Sequence, residues 1–297
     1  MFRSGFVSII GHPNVGKSTL MNRLLGDKVS IISSKPQTTR NTIRGIYNDE
    51  ESQVVFIDTP GVHTPKHKLG ATMSKNALRT MGAVDLVVVM VDATDDKREL
   101  STKMIEGLKA SGTPALLVVN KIDKVHDIPR LEAFIERLKA SHAFKSVFAV
   151  SALKGIYTGE LIEDIKAEMP EGPAFYPKDM TTDQPERFLI SERIREKVLE
   201  LTHEEIPHSV NVTIDTMATD DDNPELLNIE ATIIVERKSQ KGIIIGKGGR
   251  MIKAIGTKAR HDILELLGTK IYLDMHVKVV KDWRNRERTL SEYGFDE

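Results

Sequence analysis

The chain has 297 residues, of which 40% are hydrophobic and 29% charged, and its formal net charge is −1. This length favours two domains of roughly 150 residues each, and the composition excludes an intrinsically disordered chain. The absence of cysteine excludes disulfides, thiolate zinc sites and cysteine nucleophiles, and no apolar run approaches the roughly 18 residues that a membrane span needs.

Short β-branched runs alternate with amphipathic segments of helix length over the first 170 residues. Such alternation predicts an α/β domain in which a mainly parallel sheet is covered by helices on both faces. The predicted strands are residues 6–10, 54–57, 86–91, 115–119 and 147–150, and the predicted helices are residues 17–25, 100–110, 131–140 and 161–168.

A proline-rich segment comes next, and its three prolines within residues 170–177 preclude a regular helix. It predicts a first domain at residues 1–172, a linker at 173–184 and a second domain at 185–297. The second domain is predicted to contain a helix from Pro185 to about Glu205, strands at 210–214 and 228–236, helices at 241–245 and 250–267, and a strand at 270–280. This α-β-β-α-α-β order indicates a smaller α+β domain, and the charged tail from Asp282 is predicted to be frayed.

The segment from Gly11 to Ser18 has the Gly-x4-Gly-Lys-Ser pattern and lies between the first predicted strand and the first predicted helix. In that context the backbone N–H groups of the turn and the helix N-terminus bind phosphates, so we reject a chance match. Lys17 is predicted to act in catalysis by bridging the β- and γ-phosphates, and Ser18 to ligate Mg²⁺. The predicted phosphate-binding residues are Gly11, His12, Pro13, Asn14, Val15, Gly16, Lys17, Ser18 and Thr19.

Two further segments are suited to sensing the γ-phosphate. Asp58 directly follows the strand at 54–57 and is predicted to hold a magnesium-bound water, while the Gly61 N–H contacts the phosphate. In the polar loop at 37–40, Thr39 is the favoured magnesium ligand, although a merely solvated loop is the alternative for this segment taken alone. The predicted metal site is therefore Ser18, Thr39 and Asp58, with Thr39 and Gly61 also catalytic and Thr59, Pro60 and Val62 beside the nucleotide.

Two motifs at strand ends predict a base site for guanine. Asp123 belongs to an Asn-Lys-Ile-Asp segment after the strand at 115–119, and its carboxylate can accept both the N1–H and the amine of guanine. Adenine offers no such donor pair and would leave the carboxylate unpaired. The alternative, an Asp that only caps a helix, loses weight because the other motifs occur in the matching chain order. The predicted base-binding residues are Asn120, Lys121, Ile122, Asp123, Ser151 and Ala152.

The second domain carries signals for nucleic acid. Residues 237–288 hold 14 Lys plus Arg and 5 Asp plus Glu, a balance of +9 in a chain whose total is −1. A solvated basic surface is the alternative, but a Gly-x-x-Gly loop at 246–249 between two helices is typical of domains that clamp single-stranded nucleotides. The predicted RNA-binding residues are Lys241, Ile245, Gly246, Lys247, Gly248, Gly249, Arg250 and Lys253. Trp283 is predicted to pack in the protein rather than to stack on a base.

Taken together, these motifs resemble the Era family of bacterial GTPases, which act in assembly of the small ribosomal subunit, and the resemblance covers nearly the whole chain. It implies a fold in which a Ras-like P-loop GTPase domain precedes a type II KH domain. It also implies Mg²⁺ as cofactor, and the single-stranded 3′ end of 16S rRNA within the 30S subunit as partner. We expect a cytoplasmic monomer and leave open a peripheral association with the inner face of the cell membrane.

One residue departs from the Ras-like pattern. Val62 stands where many GTPases have a glutamine that orients the attacking water, so slow intrinsic hydrolysis is expected. Our hypothesis is that Asn14 helps to hold K⁺ near the phosphates and is catalytic in that sense. The alternative is that Asn14 only suits a loop conformation with positive φ.

The predicted reaction is GTP plus water to GDP plus phosphate, with the nucleotide state repositioning the KH domain on its RNA. Two other classes of function stay open at this stage. One is a GTP-binding adaptor without meaningful turnover, and the other is a GTPase whose basic domain docks on anionic lipid.

Overall fold

A computed structural model of the chain describes residues 1–33, 35, 37–62, 65, 67–204 and 206–295. The first domain is built on a six-stranded sheet in the order β2-β3-β1-β4-β5-β6, in which β2 is antiparallel to β3 and the other neighbours are parallel. Its strands are β1 (Arg3–Gly11), β2 (Ile43–Asn48), β3 (Ser52–Asp58), β4 (Leu86–Asp92), β5 (Ala115–Asn120) and β6 (Val147–Val150).

Helices cover both faces of this sheet, as the sequence predicts. Along β4, Val88 belongs to the core on one face, whereas Val87 and Val89 belong to the core on the other. This two-sided burial explains why the strand sequences are continuous apolar runs without alternation. The helices are α1 (Lys17–Leu25), α2 (Lys68–Arg79), α3 (Thr102–Ser111), α4 (Ile128–Lys139) and α5 (Thr158–Glu168).

Local signals set the helix ends. Ser101 caps α3 by accepting a hydrogen bond from the Met104 N–H, and Gly112 ends that helix with φ +65°. Asp127 caps α4 in the same way through the Arg130 N–H. Such caps satisfy backbone groups that the helix itself leaves unpaired.

The second domain has a three-stranded sheet in the order β7-β8-β9, with β7 antiparallel and β9 parallel to β8. The predicted α-β-β-α-α-β order is confirmed, with an added short helix before β7. The first helix ends at Leu201 rather than near Glu205, which itself lies outside the described residues. The elements are α6 (Glu186–Leu201), α7 (Ile206–Ser209), β7 (Asn211–Thr219), β8 (Leu226–Val235), α8 (Lys238–Ile245), α9 (Arg250–Leu267), β9 (Lys270–Val279) and α10 (Glu287–Glu292).

The prediction of a frayed tail from Asp282 is wrong. Trp283 is fully buried, and its indole N–H donates to the Ser209 carbonyl at 2.8 Å. Leu290 on α10 and Phe295 complete an apolar cluster with it, so apolar burial offsets the cost of ordering this charged segment. The prediction that Trp283 is a packing residue is confirmed.

Residues 173–184 contain no helix and lie along the antiparallel edge of the first sheet. The Ile46 N–H donates to the Thr181 carbonyl at 2.8 Å, and Gln53 Oε1 accepts from the Phe175 N–H at 2.6 Å. The segment is thus irregular, as its prolines require, yet fixed to the first domain. Within the described ranges, no helix combines the length and the apolar character that crossing a membrane would require.

Candidate functional site

The Gly11–Ser18 segment forms a tight turn between β1 and α1. Gly16 has φ +104°, and a side chain there would begin 2.3 Å from the amide nitrogen of Asn120. A side chain at Gly11 would meet the Met90 carbonyl oxygen at 2.3 Å. The two glycines are therefore required by backbone conformation and by close approach, which leaves the turn open for a phosphate chain.

Lys17 begins α1 and its side chain is buried in this turn. Its ammonium lies 3.2 Å from the His12 carbonyl oxygen and 3.4 Å from that of Gly11. Burial lowers the pKa of Lys17 to about 8, although the Asp58 carboxylate opposes the shift. A buried ammonium whose neighbours are mostly carbonyl dipoles is ready to receive an anionic phosphate.

Three hydroxyl groups converge on one oxygen of Asp58 at the end of β3. Oδ2 lies 2.6 Å from Ser18 Oγ, 2.9 Å from Ser30 Oγ and 3.3 Å from Thr39 Oγ1. Ser18 Oγ and Thr39 Oγ1 are 2.9 Å apart. The structure therefore brings together the predicted metal residues Ser18, Thr39 and Asp58, and it adds Ser30, which the sequence reading missed.

This cluster fits a magnesium ion. Mg²⁺ takes oxygen ligands, and these side chains offer only oxygen. Asp58 Oδ1 is buried without a hydrogen-bond partner among the described residues, and burial raises the pKa of this carboxyl. A nearby cation would give Oδ1 an electrostatic partner and stabilise the charged carboxylate. Ser18 and Thr39 can hold this ion directly, while Asp58 can hold a water bound to it.

The segment after Asp58 turns along the phosphate loop. A side chain at Gly61 would lie 2.7 Å from the Pro13 nitrogen, so only glycine permits this approach. The Val62 N–H donates to the Gly11 carbonyl at 3.1 Å, and the Val62 side chain is buried in the core. Val62 is thus unable to orient a water in this arrangement, as its chemistry predicts.

The predicted base site is assembled from the ends of β5 and β6. Asn120 donates from its amide to the Val15 carbonyl at 2.8 Å, and its oxygen accepts from the Ala152 N–H at 2.9 Å. Ser151 Oγ donates to Asp123 at 2.6 Å. These contacts join the base loops to the phosphate loop and fix the Asp123 carboxylate.

Lys121 links the same two loops. Its ammonium donates to the Asn14 carbonyl at 2.7 Å and pairs with Asp92 at the end of β4. Lys121 itself has φ +70°, and Asn14 has φ +65°. Asp92 is a second residue that sequence reading missed, although its position at a strand's carboxyl end was a usable signal.

The phosphate loop, the loop of Thr39 and the side of Lys121 surround a cleft of about 530 Å³, a volume suited to a nucleotide-sized ligand. The predicted base residues Asn120, Asp123, Ser151 and Ala152 are not among the residues that line it. The cleft is lined by predicted residues that include Pro13, Asn14, Gly16, Lys17, Ser18, Thr19, Thr39, Gly61 and Lys121. Other predicted residues do not line the cleft but lie in or against the core next to it. Val15 is in the core, Ile122 packs against the core, Pro60 is buried and Thr59 Oγ1 donates to the Ile9 carbonyl at 2.8 Å.

His12 turns away from the cleft. Its Nε2 lies 3.1 Å from the Glu99 carbonyl oxygen, and burial lowers the pKa of this imidazole. The backbone of His12 therefore belongs to the phosphate-binding turn, whereas its imidazole does not face the cleft.

The Gly-x-x-Gly loop projects from the second domain between α8 and α9. Gly248 and Gly249 have φ of +60° and +78°, and side chains added there would meet nothing within 4 Å. These glycines are thus required by backbone conformation and present an open surface to a ligand. Gly246 differs, since a side chain there would lie 2.7 Å from Met251 Cβ.

Some of the basic residues in the run 237–288 form ion pairs with acidic side chains. Arg284 pairs with Glu236 at 2.6 Å. Lys258 pairs with Glu200 at 2.5 Å. Within the part of the chain that the structure describes, charged groups without an ion-pair partner surround the glycine loop, at Lys241, Lys247, Arg250 and Lys253. Positive charge is thus available to a phosphate backbone around the open loop, and also at other residues of the run such as Arg237, Lys278 and Arg286.

Comparisons with known proteins agree with both halves of this description. Residues 6–121 match the family model described as "50S ribosome-binding GTPase", and residues 205–284 match that of the KH domain. A structure of an Era variant from Aquifex aeolicus bound to GDP·AlF₄⁻ is 40% identical, with a TM-score of 0.96 and all of both chains covered. A structure of Era with MgGDPNP and nucleotides 1506–1542 of 16S ribosomal RNA has the same identity of 40%, TM-score of 0.96 and full coverage. The agreement extends over both domains and their arrangement, and the chain therefore belongs to the Era family of GTPases.

Proposed function

We propose that this protein binds and hydrolyses GTP with Mg²⁺ as cofactor, and that its nucleotide state controls its binding to the 3′ end of 16S rRNA during assembly of the 30S subunit. The observation that carries the proposal is the occurrence, in one chain, of a phosphate-binding cleft with a magnesium-compatible oxygen cluster and of an open glycine loop whose cations have no ion-pair partner among the described residues. Full-length similarity to Era structures that hold MgGDPNP with 16S rRNA, or GDP·AlF₄⁻, supports it.

The small subunit is preferred over the large one for a specific reason. The description of the GTPase-domain model names the 50S particle, but that model ends at residue 121 and excludes the KH domain. The Era structure with 16S rRNA matches the whole chain. RNA choice belongs to the KH domain, so the full-length match has more weight here.

In the proposed reaction, water attacks the γ-phosphorus of GTP, the bond to the β-bridging oxygen breaks, and GDP and phosphate leave. Lys17 and the backbone N–H groups of the phosphate loop stabilise charge on the transferred phosphoryl group. Ser18, Thr39 and, through a water, Asp58 would hold magnesium. The bound ion would neutralise further negative charge on the phosphates. Because Val62 is buried and apolar, no side chain at that position orients the water, and slow intrinsic turnover follows.

A monovalent cation is part of the proposal. We infer that Asn14, at the edge of the cleft, helps to hold K⁺ against the phosphates and so supplies charge that an arginine would otherwise provide. The alternative role of Asn14, to allow a positive φ, is also supported by its φ of +65°. The two roles are separable by mutation.

The remaining proposals concern organisation. The GTPase domain would comprise residues 1–172, the linker 173–184 and the KH domain 185–297, working as a cytoplasmic monomer on its RNA. RNA would be gripped through Lys241, Lys247, Arg250 and Lys253, with the backbone of Gly246–Gly249 against the strand and Ile245 among the apolar groups that meet the bases. A peripheral attachment to the inner face of the membrane is the second candidate, favoured by the same basic surface.

The deciding experiment measures phosphate release from GTP and from ATP, with and without a single-stranded RNA of the 16S 3′-end sequence, and repeats the assay on Gly248→Asp. We expect turnover of GTP only, stimulation by RNA, and loss of that stimulation with intact basal turnover in the variant. Equal use of ATP, or no response to RNA with either nucleotide, would overturn the proposal. Binding to anionic liposomes as strong as to RNA would favour the membrane candidate instead.

A further inference from the structure

The loop that carries Thr39 is held by the second domain as well as by the first. Arg195 on α6 donates from Nη2 to the Thr38 carbonyl. Its side chain is only 1% exposed, and Glu192 fixes it through two contacts of 2.6 Å, at Nε and at Nη2. The guanidinium is therefore a rigid donor in a place that water does not reach.

The Thr38 carbonyl shares a planar peptide unit with the nitrogen of Thr39. Fixing that carbonyl restricts the rotation that would carry the Thr39 hydroxyl away from Ser18, 2.9 Å distant, and from Asp58. The same Thr38 has its hydroxyl bonded to the Lys35 carbonyl at 2.7 Å, so both ends of this residue are held. Position is thus transmitted from α6 to the magnesium cluster through one peptide bond.

The energetics of Arg195 favour this arrangement. Its Nη1 is buried without a hydrogen-bond partner among the described residues. If the Thr38 carbonyl moved away, Nη2 would keep its contact with Glu192, but its second N–H would lose an acceptor in the same buried cation. The second domain therefore favours the conformation in which Thr39 points into the cluster.

We propose that Arg195 is a positioning residue for the magnesium site, through which the KH domain increases the affinity of the cleft for Mg-GTP without changing that for GDP. This inference rests on the proposed role of Thr39 as a magnesium ligand in the triphosphate state. GDP lacks the γ-phosphate that, with its magnesium, interacts with this loop, so only the triphosphate benefits from an ordered Thr39.

The test is Arg195→Met in the full chain, with affinities for Mg-GDPNP and Mg-GDP measured by titration. The lost charge-assisted hydrogen bond predicts a fall of about tenfold to a hundredfold for GDPNP, and no more than about a twofold change for GDP. Arg187→Met is the matched control, because Arg187 lies on the same helix, is exposed and, among the described residues, makes a single hydrogen bond, to the Ile214 carbonyl at 3.4 Å. Equal losses for both nucleotides would show a general structural role and overturn the proposal.

A double-mutant cycle with Thr39→Ala separates the inference from its premise. If Arg195 acts through Thr39, Arg195→Met weakens GDPNP binding in the wild-type background and has no further effect beside Thr39→Ala. Additive effects, or no effect of Arg195→Met where Thr39→Ala has one, would overturn the inference alone. No effect of Thr39→Ala on GDPNP would remove the premise and the inference together.

Nucleotide-free thermal unfolding controls for damage to the fold. Should Arg195→Met lower the unfolding temperature, Arg195→Lys replaces it, because lysine keeps the buried charge beside Glu192 but lacks the planar fork that also reaches Thr38. The same selective loss of GDPNP affinity is then expected, and its absence would reject the proposal.

Discussion

At the scale of single residues, Lys17 connects burial to a measurable pH dependence. Burial lowers its pKa to about 8 from 10.5, so the protonated form predominates below pH 8 in the nucleotide-free protein. A bound phosphate favours that form, so above pH 8 binding requires proton uptake. We predict that the contribution of Lys17 to GDP affinity is nearly constant below pH 8 and then falls by up to about tenfold per pH unit, as proton linkage requires.

Calorimetric titrations in buffers of different ionisation enthalpy measure both the affinity and the proton uptake. Lys17→Met is the control, because it removes this titration but keeps that of the nucleotide. The same pH profile in both proteins would contradict the assignment to Lys17.

The two roles of Asn14 lead to a second prediction at this scale. Glycine accepts a φ of +65° more readily than asparagine does, so Asn14→Gly preserves the loop and removes only the carboxamide. If Asn14 helps to bind K⁺, wild-type turnover is faster in KCl than in NaCl, and Asn14→Gly removes this difference by lowering the rate in KCl. A variant that keeps the full potassium effect would leave only the conformational role.

At the scale of elements, the sequence predicts segments whose pattern is local and misses those that depend on partners. Continuous apolar runs identify five strands of the first sheet, and the glycine turns place the site at the correct strand ends. The strand β2, by contrast, has the mixed sequence Ile-Arg-Gly-Ile-Tyr-Asn and is stabilised by pairing with β3 and by the linker bound along it. The helix α2 and the tail were missed for a similar reason, because Leu69 and Met73 are buried against Trp283 and Leu290 from the far end of the chain.

The candidate site shows the same division. Gly11, Lys17 and Ser18 belong to one contiguous motif, and Asp123 to another, so sequence spacing suffices to find them. Ser30 was missed because only the folded chain brings its hydroxyl to 2.9 Å from Asp58. A serine in a loop has no distinguishing pattern, and its role depends on the position of β3.

The Gly-x-x-Gly loop leads to a prediction that separates RNA binding from folding. Gly248→Asp adds a side chain and a negative charge where the loop is open, so RNA affinity should fall by at least about tenfold, through repulsion and a blocked backbone approach. Gly268→Asp is a closely matched control, because Gly268 has φ +66° at the end of α9 and also has nothing within 4 Å of an added side chain. Both variants should lose about 1 kcal/mol of stability from strain at positive φ.

Filter binding to the 16S 3′-end RNA and chemical denaturation measure the two effects. Equal losses of RNA affinity in both variants would mean that charge anywhere on this domain is enough, and the loop would no longer be the assigned site.

At the scale of the whole molecule, the described residues of the loop at 31–40 serve both domains. Ile31 is 1% exposed and packs in the core of the KH domain. Arg40 donates to the carbonyl of Val210 at 2.5 Å and to that of Pro207 at 3.0 Å, and its guanidinium lies 5.8 Å from the centre of the Trp283 ring. Burial sets the pKa of Arg40 well below its ordinary value, so this cation depends on these carbonyls for its stability. We therefore expect any nucleotide that orders the loop to change the free energy of docking the KH domain.

Coupling of this kind must be reciprocal. If GDPNP changes RNA affinity by some factor relative to GDP, RNA must change the preference for GDPNP over GDP by the same factor, which for allosteric proteins is typically about 5 to 150. We predict such a factor in the wild type and its reduction toward one in Arg40→Met, because the loop then loses its hydrogen bonds to the KH domain. Arg44→Met is the control, since Arg44 is half-exposed and pairs with Asp183 of the linker at 2.6 Å.

Titrating RNA at saturating GDPNP and at saturating GDP gives one factor, and titrating each nucleotide with and without RNA gives the other. Both factors are measured at equilibrium, so they must be equal if the two titrations connect the same four states, the GDP and GDPNP complexes with and without RNA. Unequal factors would show that they do not. A full factor retained in Arg40→Met would place the coupling elsewhere. The next candidate would be the apolar contact of α2 with Trp283 and Leu290, which joins the segment after Gly61 to the same domain.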